Sequence, residues 1–329
     1  MRNRFAIWLE QQWTRIGLWH LLLIPLSCLF WCLSSLRRFA FRYGILKSYH
    51  ALAPVIVVGN ISVGGTGKTP LVIWLAQKLT DAGYSPGIVS RGYGSQHLTP
   101  VVVSENSVPD VVGDEPVVLA RRTKCPVWVC VDRVAAQQAL LQAHPECNVI
   151  ISDDGLQHYR MQRDIELVVV DAQRMFGNRM LIPAGPLREP VSRLKEVDAV
   201  IYNGKCDDAS GFTMTLLANA IVNVADPNQA IRVESLYGKK VHAVAAIGNP
   251  QRFFQQLRNM QLSIEEHVFV DHHAFQPEDL AFAKDDVVVM TEKDAVKCAL
   301  FARENWWYFP VEADVDQALA ERIIQKLRK

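Results

Sequence analysis

A chain of 329 residues, half of them apolar, is long enough to bury a full core and to fill about two domains at roughly 150 residues each, which excludes a disordered protein. Its net charge of +1 argues against nucleic acid as the main partner, because a phosphate backbone selects for a basic face. The charge is uneven, however: residues 1–50 carry Arg2, Arg4, Arg15, Arg37, Arg38, Arg42 and Lys47 against Glu10 alone, and such a basic end is drawn to anionic lipid.

From Leu18 to Leu36 the chain runs without a formal charge, and the basic stretch RRFAFR follows. About 20 apolar residues cross a bilayer as a helix, so the length is borderline. Pro25, His20 and three serines weaken a simple spanning helix, while Trp8, Trp13, Trp19 and Trp31 suit an interface. Residues 1–45 are expected to form a hydrophobic, membrane-associating helix, either spanning or lying in the interface. No small-x-small cleavage site follows it, which argues against a secretory signal.

Short apolar runs then alternate with amphipathic stretches: Val55–Val58, Gly87–Val89, Val127–Val131, Val149–Ile151, Leu167–Val170 and Ala199–Tyr202. Runs hydrophobic along their whole length predict a parallel sheet covered by helices on both faces, with ligands beyond the carboxyl ends of the strands. Residues 46–225 are assigned to this core. Residues 226–329, with VHAVAAIG, DDVVVMTEKDAVKCALFA and WWYFPV, predict a smaller α/β domain. Seven scattered cysteines with no C-x-x-C pair suggest neither a disulfide framework nor a zinc knuckle.

The stretch VVGNISVGGTGKTP, residues 57–70, has the context of a phosphate loop: a strand, a glycine-rich turn, then Lys68, Thr69 and a helix start at Pro70. Gly64, Gly65, Thr66 and Gly67 would let phosphate approach the backbone, Lys68 would add a point charge and Thr69 a Mg²⁺ ligand. The glycine normally six residues before the lysine is Ser62 here, but the doubled glycine resembles the deviant loops of a large class of P-loop proteins. Asp153 and Asp154 end another buried run, where an acid would hold Mg²⁺ or cap the next helix. Asp114 and Glu115, in GDEP, read as a helix start. If Asp114 met a histidine of the DHH triplet (271–273) across a cleft, the two would form a general base. Arg91, Arg160 and Arg188 are candidate phosphate binders or ordinary surface arginines.

In order, VVGNISVGGTGKTP, SRGYG, GDEP, SDDGLQHYR, LIPAGPLRE, DHH and MTEKDAVKC, after a hydrophobic amino-terminal helix, strongly resemble the tetraacyldisaccharide 4'-kinase (lipid A 4'-kinase) family over nearly the whole chain. The resemblance implies a P-loop NTPase-like fold at the cytoplasmic face of the bacterial inner membrane. It also implies ATP-dependent phosphorylation of a tetraacyl glucosamine disaccharide 1-phosphate at its 4' hydroxyl, giving lipid IVA, with Mg²⁺. It implies that Lys68 binds the β and γ phosphates, that Asp114 acts as base supported by His272, and that Thr69, Glu115, Asp153 and Asp154 form the metal shell. Arg91, Tyr93, His158, Arg188 and Glu189 would contact the lipid head group or the transferred phosphoryl. In the family the doubled glycine stands in place of the earlier one.

The competing expectation is a membrane-associated ATPase or GTPase switch. Such deviant-loop ATPases carry a lysine before the glycine pair, where this chain has Val63, and a GTPase base reader is only approached by NGKCD (203–207) and TEKD (291–294).

Overall fold

The computed structural model describes residues 12–13, 16–92, 97–206, 210–217 and 220–328. Its first sheet is built around β1 (Val55–Gly59), β2 (Pro86–Ser90), β3 (Val101–Val103), β4 (Val127–Val129), β5 (Val149–Asp153), β6 (Ile165–Asp171), β7 (Ala199–Asn203) and β8 (Phe212–Leu217). The second contains β9 (Ile221–Asn223), β10 (Ala230–Ile231), β11 (Val241–Ala245), β12 (Ile264–Val268), β13 (Val287–Thr291) and β14 (Trp306–Phe309), in the order β10-β9-β14-β13-β11-β12. The last strand, β15 (Glu312–Val315), returns to the first sheet, whose order is β15-β8-β7-β6-β1-β5-β2-β4-β3. Only its edge pairs, β15 with β8 and β3 with β4, are antiparallel.

The α-helices are α1 (His20–Arg42), α2 (Lys68–Asp81), α3 (Pro109–Val112), α4 (Asp114–Thr123), α5 (Arg133–Ala143), α6 (Pro250–Asn259), α7 (Glu292–Cys298) and α8 (Gln317–Leu327). Alternation along the central strand explains the layers. Ile56 and Val58 pack with Leu71, Leu75 and Leu79 of α2 and with Leu319 and Ile323 of α8, while Val55 and Val57 face Val134 and Leu140 of α5. Both faces of β1 are therefore dry, and each such side chain contributes about 1.5–3 kcal/mol by leaving water.

The expected domain boundary at residue 226 changes at both ends. β9 precedes it yet belongs to the second sheet, and β15 with α8 follows the second sheet yet completes the first. Backbone pairing and the apolar seam of Leu319, Ala320 and Ile323 cause this return.

α1 lies along the larger domain. Ser27 donates to the Leu181 carbonyl at 2.8 Å and accepts from the Ala184 N–H at 2.9 Å. Near one end His20 meets Asn178 at 3.1 Å, and near the other Arg37 donates to the Gln157 carbonyl at 3.4 Å. Leu22, Leu26, Leu29, Leu33 and Leu36, spaced four, three, four and three residues apart, form an exposed stripe on the side away from His20 and Ser27.

Candidate active site

The phosphate loop is set by its neighbours. β1 ends at Gly59 because a Cβ there would come within 2.6 Å of the Leu156 Cβ. Between bends at Ile61 and Val63, Ser62 is extended and bridges Leu187, and the Val63 N–H donates to the Pro186 carbonyl at 2.8 Å. An extended residue needs no positive φ, so serine fits where the commoner loop has glycine. The turn itself comes later, at Gly64 (φ +91°) and Gly67 (φ +96°). A Cβ on Gly67 would also lie 2.3 Å from Asn203 Nδ2, the group that donates to the Thr66 carbonyl at 2.9 Å. The helix starts at Lys68, two residues before Pro70, and Pro70 still falls in the first turn, where its missing N–H costs nothing.

Lys68, Thr69, Arg91, Glu115, Asp153, Asp154, Arg188 and His272 line one cleft of about 550 Å³, together with Gly64–Gly67. Two sheets meet there: the carboxyl ends of β1, β2 and β5 on one side, the ends of β11 and β13 on the other. Gly248, after β11, reaches the loop, its Cβ direction pointing within 3.4 Å of the Gly65 N.

The two adjacent aspartates divide their roles. Asp154, at φ +50°, pairs with Lys68 at 3.3 Å and Arg188 at 3.4 Å. Burial pushes its pKa up, but those two cations outweigh burial and hold it below the ordinary value. Asp153 is fully buried; one oxygen accepts from Ser90 Oγ at 3.2 Å, and Oδ1 has no hydrogen-bond partner. Burial, then the charge of Glu115, lifts its pKa to about 7. A buried carboxylate with an unpartnered oxygen, lining the same cleft as a threonine hydroxyl and a phosphate loop, fits a hard divalent cation with oxygen ligands. Glu115 is held by the Lys293 ammonium.

Asp114 and His272, 158 residues apart, meet directly: His272 Nδ1 donates to Asp114 Oδ2 at 2.9 Å. Asp114 is 4% exposed and does not line the cleft, whereas His272 does. Burial pushes the Asp114 carboxyl up, but the His272 hydrogen bond and the charges of Lys293, His272 and Lys297 bring it down to about 2. Burial lowers the His272 pKa, but the bond and charge of Asp114 outweigh it and the net shift is upward. The geometry is that of a buried carboxylate orienting an imidazole, whose Nε2 is then the basic nitrogen.

The tetraacyldisaccharide-1-P 4'-kinase family model matches residues 19–328. A curated tetraacyldisaccharide 4'-kinase from Methylobacillus flagellatus is 53% identical over 329 residues, covering 100% of this chain and 98% of that protein. One from Azoarcus sp. is 50% identical over 96% of this chain and 94% of its own. The chain belongs to the tetraacyldisaccharide 4'-kinase family. A crystal structure of LpxK from Aquifex aeolicus in complex with ATP superposes with a TM-score of 0.77 at 27% identity, over 92% of this chain and 98% of that one.

Within this 4'-kinase family member, other expected residues sit apart from the cleft. His158 lies 3.8 Å from Asp132, and burial lowers its pKa to about 4. Glu189 is buried, accepting from Gln157 at 2.7 Å and Tyr159 at 2.6 Å, with Arg193 at 3.3 Å. Tyr93 falls outside the described residues. Replacing Glu189 by leucine strands three polar partners, so a stability loss of about 3–5 kcal/mol is expected, read as a drop in thermal midpoint; an unchanged midpoint with weakened lipid affinity would instead return Glu189 to the substrate.

Three polar residues that motif reading did not select shape the same cleft. Asn203 bonds Thr66, Arg252 donates to Asn203 Oδ1 at 2.8 Å, and Arg174 donates to the Gly65 carbonyl. Asn203 stands inside the NGKCD segment that resembled a failed base reader, and its position at the end of β7 was the available signal.

Proposed function

We propose that this protein transfers the γ-phosphoryl group of ATP to the 4' hydroxyl of a tetraacyldisaccharide 1-phosphate, giving lipid IVA. The observation that carries the reading is a phosphate loop from one domain facing an aspartate-oriented histidine from the other across a single cleft. Lys68, Arg91 and Arg188 neutralise phosphate oxygens, and His272 Nε2 accepts the hydroxyl proton while Asp114 stabilises the imidazolium. The attacking sugar oxygen forms a bond to γ phosphorus as the bond to the bridging oxygen breaks, leaving ADP. Asp153 and Thr69 would hold Mg²⁺, with Asp154 occupied by Lys68 and Arg188 and Glu115 acting through its nearby charge; the ion would neutralise the β and γ phosphates. γ-Labelled ATP, Mg²⁺, detergent and the tetraacyl acceptor test this. Label in the lipid is the expected result, and label released only as inorganic phosphate would favour the ATPase switch.

The membrane attachment follows from α1. It is long and apolar enough to cross a bilayer, with mean hydropathy 1.5 and 11% of that window buried. Its contacts at His20, Ser27 and Arg37 bind it along the protein body, which favours a helix lying in the interface of the cytoplasmic leaflet, leucine stripe inward. There it would bring the cleft to an acceptor whose acyl chains stay in the bilayer. Leu22→Ser, Leu29→Ser and Leu33→Ser together should release the protein from anionic vesicles, with binding falling more than about 10²-fold on burial of roughly 1.5–3 kcal/mol per leucine. Undiminished sedimentation of the triple variant would place the anchor elsewhere.

A further inference from the structure

The free edge of the second sheet carries a cluster that phosphoryl transfer does not use. β12 is the outermost strand, and its parallel register with β11 sets His242 beside Glu265 and Val244 beside His267. Residues two apart on a strand share a face, so the register turns His242, Glu265 and His267 to one side. Their side chains converge. His242 Nδ1 and His267 Nε2 share a hydrogen bond of 2.9 Å, Glu265 Oε2 is 3.7 Å from His242 Nδ1, and Glu265 Oε1 is 3.7 Å from His267 Nε2. One ligand atom from each residue lies within 4.8 Å of the other two.

The surroundings orient these groups. His242 is buried, and its Nε2 lies 3.2 Å from Asp286 Oδ2. An ionised carboxylate only accepts, so Nε2 carries a proton toward Asp286; with Nδ1 as acceptor the 2.9 Å bond is donated by His267 Nε2–H, and a metal ion would take the place of that proton while His267 keeps its hydrogen on Nδ1. A carboxylate holding the far nitrogen of a ligating imidazole is the usual support of a metal-bound histidine. The His267 ring stacks on Phe282, with centroids 3.8 Å apart and 16° between planes. Lys240 reaches Glu265 Oε2 at 3.2 Å and Asp286 at 3.6 Å, balancing the two carboxylates while Oε1 stays turned toward His267.

We propose that His242 Nδ1, His267 Nε2 and Glu265 Oε1 bind a divalent transition metal ion of the zinc class, with water completing a tetrahedron. Nitrogens at 2.0–2.1 Å from such an ion stand about 3.3 Å apart, so the imidazoles need to separate by only a few tenths of an ångström. Two imidazoles and one carboxylate suit zinc, cobalt or nickel, whereas magnesium prefers oxygen alone. The ion would clamp the edge strand to β11, and β12 runs on within a few residues to Asp271 and His272.

The test is zinc titration of the full chain by calorimetry in excess Mg²⁺, beside His267→Gln and Glu265→Gln. Half of the Glu265 side chain and 18% of the His267 side chain are exposed, so both variants should keep the fold; far-ultraviolet circular dichroism checks this. One zinc per wild-type chain, weakened roughly 10–100-fold or more in each variant, with a zinc-dependent rise in thermal midpoint confined to wild type, is the expected result. Cobalt substitution should give weak visible bands without thiolate charge transfer. Equal zinc affinity in all three proteins, no zinc bound by wild type, or a cobalt–thiolate band would overturn the proposal.

Discussion

Lys68→Ala is expected to lower phosphoryl transfer roughly 10²–10³-fold, the range for losing one preorganised charge from a transferring group, while the protein stays folded. Lys68 opens α2, and its ammonium lies 3.3 Å from Asp154. Once it is gone, Asp154 still has Arg188 at 3.4 Å and keeps a cation. Asp153 fares worse. Lys68 is among the charges that lower its pKa against burial and Glu115, so the variant should need more Mg²⁺ to keep Asp153 ionised. Single-turnover transfer across a Mg²⁺ series, beside a thermal melt, measures both effects. Transfer within a few-fold of wild type would remove Lys68 from the reacting phosphates.

Asp114→Asn should cost about 10²–10⁴-fold, the range for losing general-base catalysis, and should also move the pH profile. A base works unprotonated, so the acidic limb of the rate rises as pH climbs through the His272 pKa. Asp114 holds that pKa up against burial; without the charge the limb shifts to lower pH while the plateau falls. Stability carries the same sign. A folded-state pKa above the unfolded value of about 6.5 means that the His272–Asp114 contribution is complete below that value and is lost as pH rises through the raised one. His273→Ala should leave the profile unchanged, because His273 Nε2 is bonded to Asp279 at 2.8 Å within the second domain. A lower plateau with an unmoved limb would mean that Asp114 only supports the fold.

The strands readable from the chain were those buried on both faces, since β1, β5 and β6 carry continuous apolar runs and need no partner to be recognised. β3, β8 and β15 lie at or beside the sheet edges and are half exposed, and no local pattern tells which sheet such a strand joins. For the same reason β15 read as the tail of the smaller domain. The phosphate loop was legible because its chemistry is contiguous. The Asp114–His272 pair was not: 158 residues separate them, so the residues alone offered their meeting only as a condition, and the family resemblance chose His272. Glu189 shows the limit of that carry-over. It adjoins Arg188 in sequence, yet Arg188 reaches the cleft while Glu189 turns back to Tyr159 and Arg193. Asn203 and Arg252 are single polar residues at element ends, significant only through what folding sets beside them.

The return of the chain to the first sheet also sets where the two halves are joined. The chain leaves the larger half after Leu217 and re-enters it at Glu312, and these two residues are register partners on β8 and β15. Both connections therefore emerge side by side, as the two leaves of a hinge emerge from one pin. Away from that pin the two halves are tied by the Asp114–His272 bond, by Arg122 with Glu292 and by Arg252 with Asn203. Leu216, Phe309 and Val311 line the cleft next to the pin. Any opening of the cleft about the pin would have to part His272 from Asp114, so the base is oriented only while the two halves are together.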